Sequence, residues 1–260
     1  MSEQKFLFKK KGPVCTLTMN APEKMNALDR EMLGALEATF NDISADGDSR
    51  VVVLEGAGGN FCSGADLSLL GSGITAEDAY KVMLRIGRLI KSIRELPQPV
   101  ICKVHGVAYG GGANLALAGD FVVASHKARI SQSFVNIGIT LDCGGSYFLP
   151  RLVGMVRARA LALLGEEIDG RTAAAMGLIY KSAAPDELDR EVDALTTALA
   201  RKSITALSVI KKSLNESFDM TLAEALDREA ASQSIILQSE EFKRTLQTML
   251  QSKKEKLFHK

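Results

Sequence analysis

Val100-Ile101-Cys102-Lys103-Val104-His105-Gly106-Val107-Ala108-Tyr109-Gly110-Gly111-Gly112-Ala113-Asn114-Leu115-Ala116-Leu117-Ala118-Gly119-Asp120 is the stretch from which the rest of the chain can be ordered. It opens on a β-branched run, which reads as a strand. It then passes through three consecutive glycines into small residues, Ala113 to Ala118, which read as a helix. Glycines add nothing to core volume; they free the backbone and let another group come close. A helix starting after them presents free N–H groups and the positive end of its dipole to whatever approaches. An oxygen gaining negative charge is the natural guest. The other reading is a tight strand-to-helix turn packed on a neighbour, and the stretch alone leaves both open.

A second stretch has the same character. Gly56-Ala57-Gly58-Gly59-Asn60-Phe61-Cys62-Ser63-Gly64-Ala65-Asp66-Leu67 is a small-residue loop that follows the strand-like Val51 to Leu54. The two together, in this order, resemble the crotonase superfamily of enoyl-CoA hydratases and isomerases. The resemblance implies that Ala65 and Gly111 supply two backbone N–H groups, which hold the thioester oxygen of a coenzyme A substrate as it becomes an enolate. It also implies the fold class, α/β, with a core of repeated ββα turns wound as a spiral and an α-helical C-terminal trimerisation region. The expected boundaries are residues 1–200 for the acyl-CoA-binding core and 201–260 for the helical region.

Composition narrows the classes. The chain has 260 residues, enough for a substantial core, and a net charge of +1 with 24% charged residues. No global basic field calls for nucleic acid. No run approaches the ~18 apolar residues of a membrane-spanning helix, and Met1 to Lys11 is largely polar, unlike a secretory signal. A cytoplasmic protein is expected. Cys15, Cys62, Cys102 and Cys143 form no CxxC pair and read as buried free thiols. His105, His126 and His259 are scattered, so neither a metal site nor a Cys–His catalytic pair is indicated.

Along the chain, Phe6 to Phe8 and Val14 to Met19 read as strands split by Lys11-Gly12-Pro13. The loop Asn20 to Leu28 resembles the family's coenzyme-contacting signature; the plain alternative is a Pro turn before a helix. Asp29 is a plausible N-cap for that helix, and Met32, Leu36, Phe40 and Ile43 mark its apolar face. Val51 to Leu54 suits a strand covered on both sides. A Gly-containing stretch, Ser68 to Thr75, reads as flexible. Thr75 with Asp78 caps a helix whose stripe is Val82, Ile86, Leu89, Ile90 and Ile93, and Pro97 and Pro99 end it. Phe121 to Ser125 and Ala128 to Ile130 read as strands. Met155 to Leu164, Gly170 to Met176, Glu187 to Ala200, Ser203 to Leu214 and the run after the Thr221/Glu224 capping box read as helices, with Leu178 to Lys181 as a last strand. The tail, Glu241 to Lys260, carries a basic cluster around Phe258 and reads either as a frayed, solvated end or, by resemblance, as a segment reaching a neighbouring subunit's coenzyme.

The segment from Ile130 to Arg151 resembles the family's second half-site, with Gly138, Gly144 and Leu149-Pro150-Arg151 in the expected places. Asp142 stands in an otherwise apolar, glycine-rich setting. It can be a proton carrier with a desolvated carboxyl, or the cap of a helix starting near Gly144. Hydratases of the family carry two glutamates, and at those places this chain has Asn114 and Phe134. Neither exchanges a proton at neutral pH. Several isomerases of the superfamily use an acid at the Asp142 position, including those acting on ring-derived CoA thioesters of phenylacetate breakdown. A related dehalogenase places an Asp there as a nucleophile, but its aromatic walls and His are not legible in this chain.

The expected activity is therefore an acyl-CoA isomerase, with Asp142, Ala65, Gly111 and Asn114 at the catalytic centre. Lys24, Met25, Ala27, Ser63, Asp66 and Leu67 are expected to bind the coenzyme portion, joined by Lys256 and Phe258 from a neighbour. Coenzyme A would enter as part of the substrate, with no separate cofactor. The expected partners are an acyl-CoA thioester and further copies of the chain, in a homotrimer or dimer of trimers, without nucleic acid or membrane. The alternatives are a hydratase with relocated acid and base, and a non-catalytic acyl-CoA-binding protein.

Overall fold

In the computed structural model, residues 4–67 and 73–258 are described, with side chains only as far as residue 251. Most of the stretch expected to be flexible, Ser68 to residue 72, lies outside the described residues. The chain divides into two compact units, Met1–Arg201 and Lys202–Lys260.

The first unit runs β1 (Phe6–Lys11), β2 (Val14–Met19), α1 (Arg30–Ala45), β3 (Val51–Gly56), α2 (Ala76–Glu95), β4 (Val100–Val104), β5 (Val107–Tyr109) and α3 (Gly111–Leu117). It continues with β6 (Phe121–Ser125), β7 (Arg129–Ser131), α4 (Gly145–Leu164), β8 (Glu167–Asp169), α5 (Gly170–Ala175), β9 (Lys181–Ala183) and α6 (Leu188–Ala200). Among the described residues these strands form a six-stranded sheet, ordered β1-β2-β3-β4-β6-β9, and a three-stranded sheet, β5-β7-β8. β1 pairs antiparallel with β2, and every later pair of the large sheet is parallel.

Each turn of chain gives one strand to the large sheet and one to the small sheet or its extension, then a helix. Between β4 and β5 the switch falls on Gly106, at φ +54°, where a Cβ would lie 2.0 Å from the Gly59 carbonyl oxygen. Only glycine fits there. The isolated bridges Leu28↔Ala65 and Cys62↔Ala108 continue the small-sheet direction into the earlier turns. This stacking is the ββα spiral.

The core forms where α1 and α2 cover one face of the large sheet. Met32, Leu33, Leu36, Phe40 and Ile43 of α1 are buried, as are Ile86, Leu89, Ile90 and Ile93 of α2. Burying a side chain the size of Phe40 contributes about 1.5–3 kcal/mol. Val51 to Leu54 are all buried, as suits a strand covered on both faces. Asp29 Oδ1 accepts from the Met32 N–H at 2.8 Å and Thr75 Oγ1 from the Asp78 N–H at 3.1 Å, so both expected caps are in place. All four cysteines are free and buried.

Several boundaries differ from the sequence reading. α3 starts at Gly111, not Ala113, because a backbone without side chains can rest on the neighbouring turn: a Cβ on Gly112 would lie 2.2 Å from the Cys62 carbonyl oxygen. The last strand is Lys181–Ala183 rather than Leu178 to Lys181. The Leu178 and Ile179 N–H groups both turn back to the Ala173 carbonyl and close α5 instead. β8 was not anticipated; it is three residues long and mostly polar. α4 contains Pro150 and is kinked at Gly154, where φ is +74°, so its second half matches the helix read from Met155.

The second unit is helical: α7 (Ile204–Glu216), α8 (Leu222–Ile236) and α9 (Glu240–Phe258). Ser203 caps α7, and Thr221 with Glu224 forms the expected capping box of α8. The tail, for which a frayed end and a segment reaching a neighbour were both left open, is helical through Phe258.

The contact of Gly112 with Cys62 yields a test of the packing. Gly112→Ala should lower stability by roughly 1–3 kcal/mol, the usual cost of overpacking. Gly87→Ala is the control. A Cβ at Gly87, on an exposed position of α2, meets nothing within 4 Å. That change should raise stability by about 0.5–1 kcal/mol. Urea melts read both, and a Gly112→Ala variant as stable as the parent would rule out the close approach.

Candidate active site

The loop after β3 is fastened to β5 by backbone bonds. The Phe61 and Cys62 N–H groups donate to the Val107 carbonyl at 3.1 and 3.0 Å, and the Tyr109 N–H donates to the Cys62 carbonyl at 3.0 Å. From the other side, the Leu28 N–H donates to the Gly64 carbonyl, the Asp66 N–H to the Leu28 carbonyl and the Ser63 N–H to the Met25 carbonyl. Buried Asn26, at φ +57°, ties the two loops: its Oδ1 accepts from the Ala21 N–H, and its Nδ2 donates to the Ala57 and Asn60 carbonyls. With Gly64 and Asp66 bonded toward Leu28, the intervening Ala65 N–H points the other way, toward α3.

At α3, the Asn114 N–H bonds back to the Gly110 carbonyl, so Gly111 lies in the first turn and its N–H has no acceptor within the helix. Among the described residues neither the Ala65 nor the Gly111 N–H has a hydrogen-bond partner. The two groups are neighbours: a Cβ on Gly64 would lie 3.5 Å from the Gly111 nitrogen, and one on Gly111 would lie 3.9 Å from the Ala65 nitrogen. That same Gly111 position is 3.5 Å from Asp142 Oδ1 and 3.1 Å from Cys143 Sγ. Two free donors and one carboxylate therefore meet at one point.

They open on a cavity of about 500 Å³. Lys24, Met25, Ala27, Ser63, Asp66 and Leu67 line it together with Ala65, Gly111 and Asp142. The six residues expected to hold the coenzyme portion are thus brought to one wall. Lys24 is partly committed, its Nζ lying 2.7 Å from Asp66 Oδ2, and this hydrogen bond raises the Lys24 pKa. Lys256 and Phe258 belong to α9 in the other unit, and their side chains lie outside the described residues.

Asp142 does not cap α4. The N-cap is Gly144, which makes no side-chain cap hydrogen bond. The Asp142 carboxyl is turned into the cavity, with Oδ1 buried and without a hydrogen-bond partner. Burial raises its pKa above the ordinary carboxylate value, opposed in part by the Cys143 thiol beside it. Burial and the neighbouring Asp142 in turn push the Cys143 thiol well up, so it stays protonated.

Asn114 is not on the cavity wall. It is fully buried one layer behind, its Nδ2 donating to the Asp142 carbonyl at 2.8 Å and its Oδ1 accepting from Gln132 Nε2 at 2.9 Å. Asn114, expected at the catalytic centre, thus stands behind the cavity lining, with both ends of its amide engaged inside the protein. Phe134 is buried and forms wall. Sequence reading missed Tyr109, Ser133, Ile137 and Ile139 as lining residues. Ser133–Ile137 is a single 3-10 turn ended by left-handed Gly138, too short to show periodicity.

The profile of the enoyl-CoA hydratase/isomerase family matches residues 9–259, and the chain belongs to that family. It is 34% identical to 1,2-epoxyphenylacetyl-CoA isomerase of Escherichia coli, over 91% of this chain and 92% of that one. It is 37% identical to a probable enoyl-CoA hydratase of Rhodobacter capsulatus, over 92% of each chain. The crystal structure of an enoyl-CoA hydratase from Mycobacterium smegmatis superposes with a TM-score of 0.92 at 29% identity, covering 96% of this chain and 97% of that one. The fold is that of the crotonases. Among the described residues no helix is long and apolar enough to cross a membrane.

Proposed function

We propose that the protein is an acyl-CoA isomerase that shifts a double bond, or its ring-derived equivalent, in a CoA thioester. The observation that carries this reading is the meeting of two unpartnered backbone donors with one desolvated carboxylate, where hydratase-type glutamates are replaced by Asn114 and Phe134. In the proposed reaction, the Ala65 and Gly111 N–H groups hold the thioester oxygen. The adjacent or conjugated C–H becomes acidic as negative charge moves onto that oxygen, a stabilisation worth roughly 3–4 kcal/mol per donor in comparable sites. Asp142 takes the proton and returns it at another carbon, so substrate and product have the same mass. Hydration would ask one carboxylate to serve water and carbon alike. Coenzyme A belongs to the substrate, and the scheme needs no separate cofactor. The four free buried thiols suit a reducing compartment, in keeping with a cytoplasmic protein.

Asp142→Asn tests this reading with three measurements on one preparation. Turnover of a 3-enoyl-CoA thioester should fall by about 100- to 10,000-fold, the scale of a lost general acid–base. Affinity for unreactive hexanoyl-CoA should hold, because the backbone donors survive. Stability should move the other way. A raised carboxyl pKa penalises the native state at pH values above it, and the penalty vanishes once the group is protonated in both states. The variant should therefore melt higher than the parent at neutral pH, with the gap closing on acidification. Unchanged turnover removes Asp142 from the mechanism, and a product heavier by one water in the parent reaction returns the protein to the hydratases.

We further propose a trimer or dimer of trimers. Val156 and Leu163 of α4 are 82% and 69% exposed, and Leu222 and Ile235 of α8 are 76% and 72% exposed, apolar surface that association would cover. Light scattering at micromolar concentration should give a trimer or hexamer mass; a monomer contradicts the assembly.

A further inference from the structure

Asp142 is followed by an unusual turn. Cys143 has φ +49°, a left-handed conformation that is costly for a residue with a side chain, and Gly144 follows at +81°. Such a turn persists only where its surroundings over-determine it. Here the Asp142 carbonyl accepts twice, from the Gly145 N–H at 2.9 Å and from Asn114 Nδ2 at 2.8 Å. Asn114 is oriented in turn by Gln132, whose Nε2 reaches its Oδ1 at 2.9 Å. Both amides are buried, at 0% and 1% exposure. Gly145 makes the arrangement possible, because a Cβ there would lie 2.5 Å from Asn114 Nδ2. The carboxyl at the end of this chain has no hydrogen bond of its own on Oδ1. The one side chain hydrogen-bonded to the carboxyl, the Cys143 thiol, is carried by the same left-handed turn, so the carboxyl's direction depends on that backbone.

We propose that Asn114 and Gln132 are positioning residues that act through the Asp142 carbonyl, fixing the peptide after Asp142 so that its carboxyl faces the Ala65 and Gly111 donors. Asn114 sits where hydratases of the family carry a glutamate that handles a proton. In this chain the position has become support for a different acid. Its amide supplies what a carboxylate cannot, a donor toward Asp142 and an acceptor toward Gln132 at the same time. The inference rests on the isomerase reading with Asp142 as proton carrier.

The test is a double-mutant cycle on the full-length chain, using a chain-length series of 3-enoyl-CoA thioesters for turnover and hexanoyl-CoA for affinity. Asn114→Ala should lower kcat by about 10- to 100-fold, the scale of a catalytic group moved off its geometry, with KM and hexanoyl-CoA affinity nearly unchanged. Added to Asp142→Asn, it should cost no further turnover, because it acts only through that carboxyl. Gln132→Leu guards against misfolding. It removes a buried Oε1 that has no partner but also leaves Asn114 Oδ1 without its donor; the two effects oppose each other, so it should melt near the parent's temperature while lowering kcat several-fold. Losses that multiply in the double variant overturn the proposal, as does loss of affinity in place of kcat, which would mean that Asn114 meets substrate. An inactive Asp142→Asn beside fully active Asn114→Ala and Gln132→Leu overturns the positioning role alone. A fully active Asp142→Asn, or a parent inactive on the whole series, overturns the isomerase reading and this inference together.

Discussion

Three backbone hydrogen bonds, from Phe61, Cys62 and Tyr109, sew the loop after β3 onto β5. They are ordinary in strength, each contributing about 1 kcal/mol net. Their importance is positional. They set the Ala65 N–H beside the first turn of α3, and the glycines let the two backbones come that close. Moving either loop by an ångström would separate the donors and leave two unrelated turns. The spiral exists to stack such turns, and the cavity opens where two successive turns leave their N–H groups unused.

The chemistry grows out of what remains unsatisfied. Native interiors pair nearly all their buried polar groups. Around this cavity two N–H groups and one carboxylate oxygen are left without partners, and they face one another. Desolvation then gives the carboxyl a higher affinity for protons than an exposed aspartate has. The neighbouring residues that could have neutralised it are either apolar, like Phe134, or engaged elsewhere, like Asn114.

Much of this was legible in the sequence because it is written in local signals. The buried stripe of α1, its Asp29 cap and the Thr221/Glu224 capping box follow from spacing and side-chain chemistry alone. The two glycine-rich loops could be read as donors only by taking them as a pair, and Lys24, Met25, Ala27, Ser63, Asp66 and Leu67 could be placed on the cavity only through family resemblance. Other features were hidden because they depend on contacts distant in sequence. α3 begins at Gly111 because Cys62 leaves room for nothing larger than glycine at Gly112. β8 is a strand because β7 pairs with it, not because of its own residues. The place of Asn114 behind the cavity was hidden because its partners, Gln132 and the Asp142 carbonyl, come from a later turn of the spiral.

The measurement that bears most directly on Asp142 as the proton carrier is deuterium exchange. The protein is incubated in D2O with a 3-enoyl-CoA thioester, and the recovered thioester is analysed by mass spectrometry and NMR. A shuttle working through a held enolate should place deuterium at the carbon next to the thioester carbonyl or at the carbon conjugated with it. Asp142→Asn should lose that incorporation in step with turnover. Deuterium entering at the parent's rate in the Asp142→Asn variant, or no deuterium at either carbon during turnover by the parent, would contradict it.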